Sequence, residues 1–95
     1  MRIYVKSNFI VPGLDSGEFA DLDHSQLTIR EFLEVLSERS PTRVEYIQSG
    51  AQTINPDEWD IRINDIPYPQ WSAGLDTPLK DGDTVTIIII PLGGG

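Results

Sequence analysis

Thr84-Val85-Thr86-Ile87-Ile88-Ile89-Ile90 is the most apolar stretch of this 95-residue sequence, and its reading decides the fold. Asp81-Gly82 ahead of it signals a turn, and Pro91 closes it. Its residues are all β-branched and suit a pleated strand. Alternation puts Val85, Ile87 and Ile89 on one face and Thr86, Ile88 and Ile90 on the other. Both faces are apolar at the end, so this strand is either central in its sheet or covered by a partner. The aliphatic run Ile87 to Ile90 is far shorter than the ~20 residues that span a membrane.

Working outward, Met1 to Phe9 alternates, with Ile3 and Val5 on one side, and predicts the first strand. Pro12-Gly13 reads as a turn, and Glu18 to His24 as a returning second strand anchored by Phe19. Thr28-Ile29-Arg30-Glu31 fits a capping box, and Leu27 with Phe32 fits a hydrophobic staple. Ile29, Phe32, Leu33 and Leu36 then recur at helical spacing, which predicts an amphipathic helix of about three turns, stopped by Ser40-Pro41. Val44 to Ile47 is a short strand, Gln48 to Glu58 a polar loop, Trp59 to Ile63 a strand, Asn64-Asp65 a turn, and Leu75 to Leu79 a single helical turn. One helix must then cover one face of a mixed sheet. Pairing the first strand with the last at the centre protects both best. The expected fold class is α+β, a β-grasp of the ubiquitin-like architecture, with residues 1–91 as the domain and 92–95 as a glycine tail.

Composition narrows the function. Fifteen acidic residues against seven basic ones give a net charge of −8. Binding to nucleic acid requires cations that displace counterions from phosphates, so neither DNA nor RNA is the expected partner. Anionic membranes would repel the chain as well. The sequence holds no cysteine, which removes disulfides, thiolate metal sites and cysteine nucleophiles. Arg2 and Lys6 interrupt the N-terminal stretch, so no signal peptide is expected there and the cytoplasm is the expected location.

Pro91-Leu92-Gly93-Gly94-Gly95 follows directly on the apolar strand. At average glycine usage, three in a row at a given place arise roughly three times in ten thousand, so the tail invites a functional reading over that of a structureless end or cloning remnant. Glycine has no side chain and visits most backbone angles, which suits a tail threading a narrow channel. Extended, Leu92 to Gly95 reaches about 13 Å at ~3.3 Å per residue and delivers the Gly95 carboxylate. A carboxylate is a poor electrophile until ATP converts it to an acyl-adenylate. Sulfide then gives a thiocarboxylate, and an amine gives an amide.

Leu75-Asp76-Thr77-Pro78-Leu79-Lys80-Asp81-Gly82-Asp83-Thr84-Val85, with the tail from Pro91 to Gly95, resembles the MoaD/ThiS family of ubiquitin-like sulfur carriers. The order of elements along the whole chain is similar, and Leu27 to Leu36 resembles the family's helix. The resemblance implies a carrier, not an enzyme, with no cofactor bound permanently. Gly94 and Gly95 match the family's functional pair, and Gly93 takes the place of a small residue. Ile90 stands where the first of two prolines is typical, and 48–58 is longer than the family needs. By this resemblance a ubiquitin-activating-like adenylating enzyme, using ATP, activates Gly95, and a sulfur donor makes the thiocarboxylate. The recipient is the large molybdopterin synthase subunit or a thiazole synthase. Chain length and the Leu75 to Leu79 segment lean toward molybdopterin. The alternatives are a ThiS-like carrier for thiamine thiazole synthesis, a ubiquitin-like modifier conjugated through Gly95, and an interaction domain with an inert tail.

Ile88 and Ile90, with Leu92, form a candidate docking patch beside the tail, set against a sheet that its own chain covers. The acidic balance serves solubility or steers the chain toward a basic partner. Asp21, Asp23 and His24 superficially resemble metal ligands, but on a strand they scatter over both faces, and no metal site is expected. Asp57, Glu58 and Asp60 read as a solvated turn. One histidine supports no nucleophile–base–acid set, and the glycines do not form a phosphate loop. Trp59, Trp71, Tyr46 and Tyr68 are expected to pack around the second hairpin.

Overall fold

The computed structural model describes residues 1–11, 14, 18–23, 25–39, 46, 54 and 58–90. β7 (Thr84–Ile89) lies in the middle of a five-stranded sheet, flanked by β1 (Arg2–Ser7) and β4 (Trp59–Ile63). β1 and β7 run parallel, Tyr4 opposite Thr84 and Ser7 opposite Ile87. β4 runs antiparallel to β7, Trp59 opposite Ile89 and Ile63 opposite Val85. β2 (Phe19–Asp21) and β5 (Ile66–Pro67) form the two edges, which completes the order β2-β1-β7-β4-β5. The central place expected of the apolar strand is the one it occupies.

α1 (Ile29–Arg39) packs on one face of this sheet. Its start is fixed by the expected box: Glu31 N–H donates to Thr28 Oγ1 at 3.2 Å, and Thr28 N–H donates to Glu31 Oε1 at 3.1 Å. Two N–H groups that a helix start leaves without partners are thereby satisfied. Ile29, Phe32, Leu33 and Leu36 are all fully buried. Each such burial is worth about 1.5–3 kcal/mol. They meet Ile3, Ala20, Ile61, Ile63, Val85 and Ile87 from the sheet's inner face in one core.

A second, two-stranded sheet pairs β3 (Leu27–Thr28) with β6 (Pro78–Leu79), which no periodicity in these short segments predicts. Leu27 lies opposite Leu79, both buried, and Ile29 N–H donates to Thr77 O at 3.0 Å. The helical turn expected over Leu75 to Leu79 is instead a 3₁₀ turn at Gly74–Asp76 followed by β6. Pro78 disfavours helical angles at Thr77, so the turn ends there and Leu79 is freed to pair.

Asn64 and Asp65 join β4 to β5 with φ of 51° and 69°, the left-handed pair that a two-residue hairpin uses. Phe19 departs from expectation. Ala20 is the buried residue of β2, and Phe19 lies half-buried on the outer face, 6.2 Å from the Tyr4 ring and under the Arg2 guanidinium. Asp60 departs as well, since it belongs to β4 and pairs with Arg62 at 3.0 Å. The strand expected at Val44 to Ile47 and the loop from Gln48 lie outside the described residues, apart from Tyr46, Ile54 and Glu58. Tyr46 and Ile54 are buried in the core.

Removing the Thr28 hydroxyl tests the helix start. Thr28→Ala is expected to cost about 1 kcal/mol in urea unfolding, with the slope unchanged.

Candidate functional site: the outer sheet face and the root of the tail

Side chains alternate across the sheet, so Ile3, Val85, Ile87, Ile61 and Ile63 point to the helix while their neighbours form the outer face. That face carries Arg2, Tyr4 and Lys6 from β1, Thr86 and Ile88 from β7, and Asp60 and Arg62 from β4. Arg2 Nε donates to Asp21 at 2.9 Å, and its guanidinium lies 4.0 Å from the Phe19 ring centre. The hydrogen bond from Arg2 holds the Asp21 carboxyl below its ordinary value, and Asp21 raises the guanidinium in turn. Asp60 likewise raises Arg62, chiefly through a hydrogen bond. Charge pairs therefore flank a small apolar centre at Ile88.

Ile88 is half-buried and sits directly opposite Asp60. Ile90 is half-buried too and lines a cleft of about 210 Å³ with Ile54, Trp59, Tyr68 and Pro69. Ile89 is more exposed than the inward-facing residues it follows, at 38%. It shares their direction, but it projects past the end of the core. Leu92, Gly93, Gly94 and Gly95 lie outside the described residues.

An aromatic group supports this end of the sheet. Tyr46 and Trp59 meet edge to face at 5.0 Å, and Phe9 lies 5.9 Å from Trp59. Trp71 donates to Ile66 O at 3.3 Å, and Tyr68 Oη accepts from Ile54 N–H at 3.0 Å. All four aromatics expected around the second hairpin thus take packing or hydrogen-bonding roles. Tyr46 Oη finds no partner among the described residues, and burial pushes its pKa up.

At the opposite end of β7, carboxylates serve as turn caps. Asp81 Oδ1 accepts from Arg2 N–H at 2.6 Å, and Asp83 Oδ2 accepts from Lys80 N–H at 2.8 Å. Part of the negative charge is therefore structural. Among the described residues no three His, Asp or Glu side chains are placed to hold a metal ion, and His24 is not described. No helix among them is long and apolar enough to cross a membrane.

The outer face thus combines the half-buried Ile88 with the Arg2–Asp21 and Arg62–Asp60 pairs, and the chain runs on from β7 through Ile90 toward the C-terminus. Among known sequences, the model of the ThiS family matches residues 11–95. The chain belongs to the ThiS family. Members are small ubiquitin-like sulfur carriers that work with an adenylating enzyme and a partner enzyme and are not catalysts themselves. The solution structure of Urm1 from Trypanosoma brucei shares the fold, with a TM-score of 0.67 and 22% identity over 98% of this chain and 95% of that one. No curated protein sequence is significantly similar to the chain. The β-grasp expected from the order of elements is the fold found.

Acid should loosen the β1–β2 edge of this ThiS-family fold. Asp21 has a lower carboxyl pKa when folded than unfolded, so its contribution is complete above the unfolded value near 3.8 and is lost as pH falls through the folded one. Urea midpoints below pH 4 are expected to fall less steeply for Asp21→Asn than for the wild type.

Proposed function

We propose that the chain carries sulfur on Gly95 as a thiocarboxylate and delivers it in molybdopterin biosynthesis, as the small subunit of the synthase. Family membership over residues 11–95, which includes the glycine tail, is the observation that carries the reading. In this account residues 1–91 are the docking domain and 92–95 the tail, with Gly93 and Gly94 giving access. A Gly95 carboxylate oxygen attacks the α-phosphorus of ATP on the adenylating enzyme. The acyl–phosphate bond forms as the bond to pyrophosphate breaks. Hydrosulfide from the sulfur donor then attacks the acyl carbon, AMP leaves, and the thiocarboxylate remains. All the catalytic groups come from partners, so the chain needs only a recognisable face and a terminus within reach. Ile88 and Ile90, with Leu92, supply the apolar part of that face, and the acidic surface suits partners that handle ATP and phosphorylated substrates.

Chain length and the Leu75–Leu79 segment favour the pterin precursor as acceptor over the thiazole of thiamine. The segment folds as a 3₁₀ turn leading into β6, with Leu75 and Leu79 both buried.

Deleting Gly95 is expected to abolish ATP–pyrophosphate exchange by the host's adenylating enzyme and to leave the unfolding curve unchanged. Sulfur transferred from the loaded chain to a pterin precursor, in the presence of the large subunit, supports the assignment. Transfer only to a thiazole precursor, or Gly95-dependent conjugates on protein lysines, overturns it. Ile88→Thr keeps a β-branched residue in the strand and avoids a second carboxylate opposite Asp60. It is expected to raise KM for the chain about three- to tenfold in that exchange assay, by removing apolar contact at unchanged fold.

A further inference from the structure

β1 ends at Ser7, opposite Ile87, while β7 continues to Ile89. Along β7 the backbone groups of even-numbered residues face β4, as Asn64 N–H to Thr84 O and Ile90 N–H to Glu58 O show. Odd-numbered residues face β1, so the backbone of Ile89 looks toward a place that β1 no longer fills. Asn8 fills it with its side chain. Asn8 Nδ2 donates to Ile89 O at 2.9 Å, and Asn8 Oδ1 accepts from Ile89 N–H at 2.9 Å. Its carboxamide acts as one more peptide unit of the β1 ladder, while the main chain turns away with Ser7 Oγ donating to Phe9 O at 2.5 Å. Only an amide presents a donor and an acceptor side by side in this way at neutral pH. From the other flank, Trp59 pairs with Ile89, and Ile90 donates to Glu58 O at 2.9 Å.

We propose that Asn8 is a positioning residue for activation of the C-terminus: by completing the ladder at Ile89 it fixes the point and direction from which the tail leaves the sheet. The proposal rests on the carrier reading above. Gly95 lies six positions past Ile89. Extended in a partner's channel, that span is a lever of about 20 Å at ~3.3 Å per residue. Once the channel holds the span extended, its glycines cannot absorb a change of direction at Ile89: a tilt of about 10° amounts to about 3.5 Å at the carboxylate, and misplacement of about 1 Å is enough to slow a reaction markedly. In the carrier reading docking rests on Ile88, Ile90 and Leu92 and not on Asn8, so loss of Asn8 is expected to act on the rate of attack rather than on binding.

Adenylation of the wild type, Asn8→Ala and Asn8→Asp by the host's adenylating enzyme tests this, with amide exchange followed at Ile87 and Ile89. Asn8→Asp keeps an acceptor for Ile89 N–H but sets a carboxylate against Ile89 O, and it carries the comparison should Asn8→Ala melt below the assay temperature. For both variants kcat is expected to fall about three- to tenfold with KM for the chain within about twofold. Exchange at Ile89 is expected to quicken about tenfold in Asn8→Ala, with Ile87 still protected. Wild-type kcat in a variant whose Ile89 exchanges freely would overturn the positioning role and leave the carrier reading standing. A change confined to KM would overturn it too, by assigning Asn8 to docking. Failure of the wild type to be adenylated would overturn both.

Discussion

β1 and β7 lie side by side in the same direction, so Tyr4 and Thr84, 80 positions apart, share one ladder. Parallel strands cannot be joined by a tight turn, and the chain between them has to travel. It uses the distance to supply α1, which covers the inner face, and the β4–β5 hairpin, which takes the other flank of β7. With a neighbour on each side, β7 has no free edge on which its isoleucines could recruit another chain. The same pairing gathers the end of β1, the start of β4 and the end of β7 at one pole. Asn8, Phe9, Glu58 and Trp59 therefore surround the root of the tail, although nothing in the local sequence marks them as a group.

Much of this was legible because local and global preferences agree. The capping box at Thr28 and Glu31 needs only residues three apart, and the stripe from Ile29 to Leu36 repeats at the helical period. β7 was readable because a strand apolar on both sides must be central or covered. What escaped the sequence depends on tertiary pairing. β3 and β6 have two residues each, too few to show a period, and exist because Leu27 and Leu79 meet across the end of the helix. Phe19 looked like the core residue of β2 on size alone. The register with β1 gives the inward place to Ala20 and leaves Phe19 with Tyr4 and Arg2.

The site divides in the same way. Its proposed covalent end was visible as three glycines after a strand, since no packed element needs that composition. Ile88 was visible as an apolar residue on the outer side of a central strand. Asn8 was not, because an asparagine after a strand most often makes a turn, and only the backbone of Ile89 beside it reveals the second role. A cysteine-free chain fits the same account: the one activated group is the terminus, and no thiol competes for it.

The central claim, that Gly95 is the sulfur-bearing atom group, is tested most directly by the intact mass of the chain incubated with its adenylating enzyme, ATP and a sulfur donor. A mass gain of one sulfur-for-oxygen exchange is expected, located by fragmentation at Gly95 and requiring ATP. An unchanged mass under conditions in which the enzyme turns over ATP with this chain, or sulfur located anywhere but the C-terminus, would contradict it.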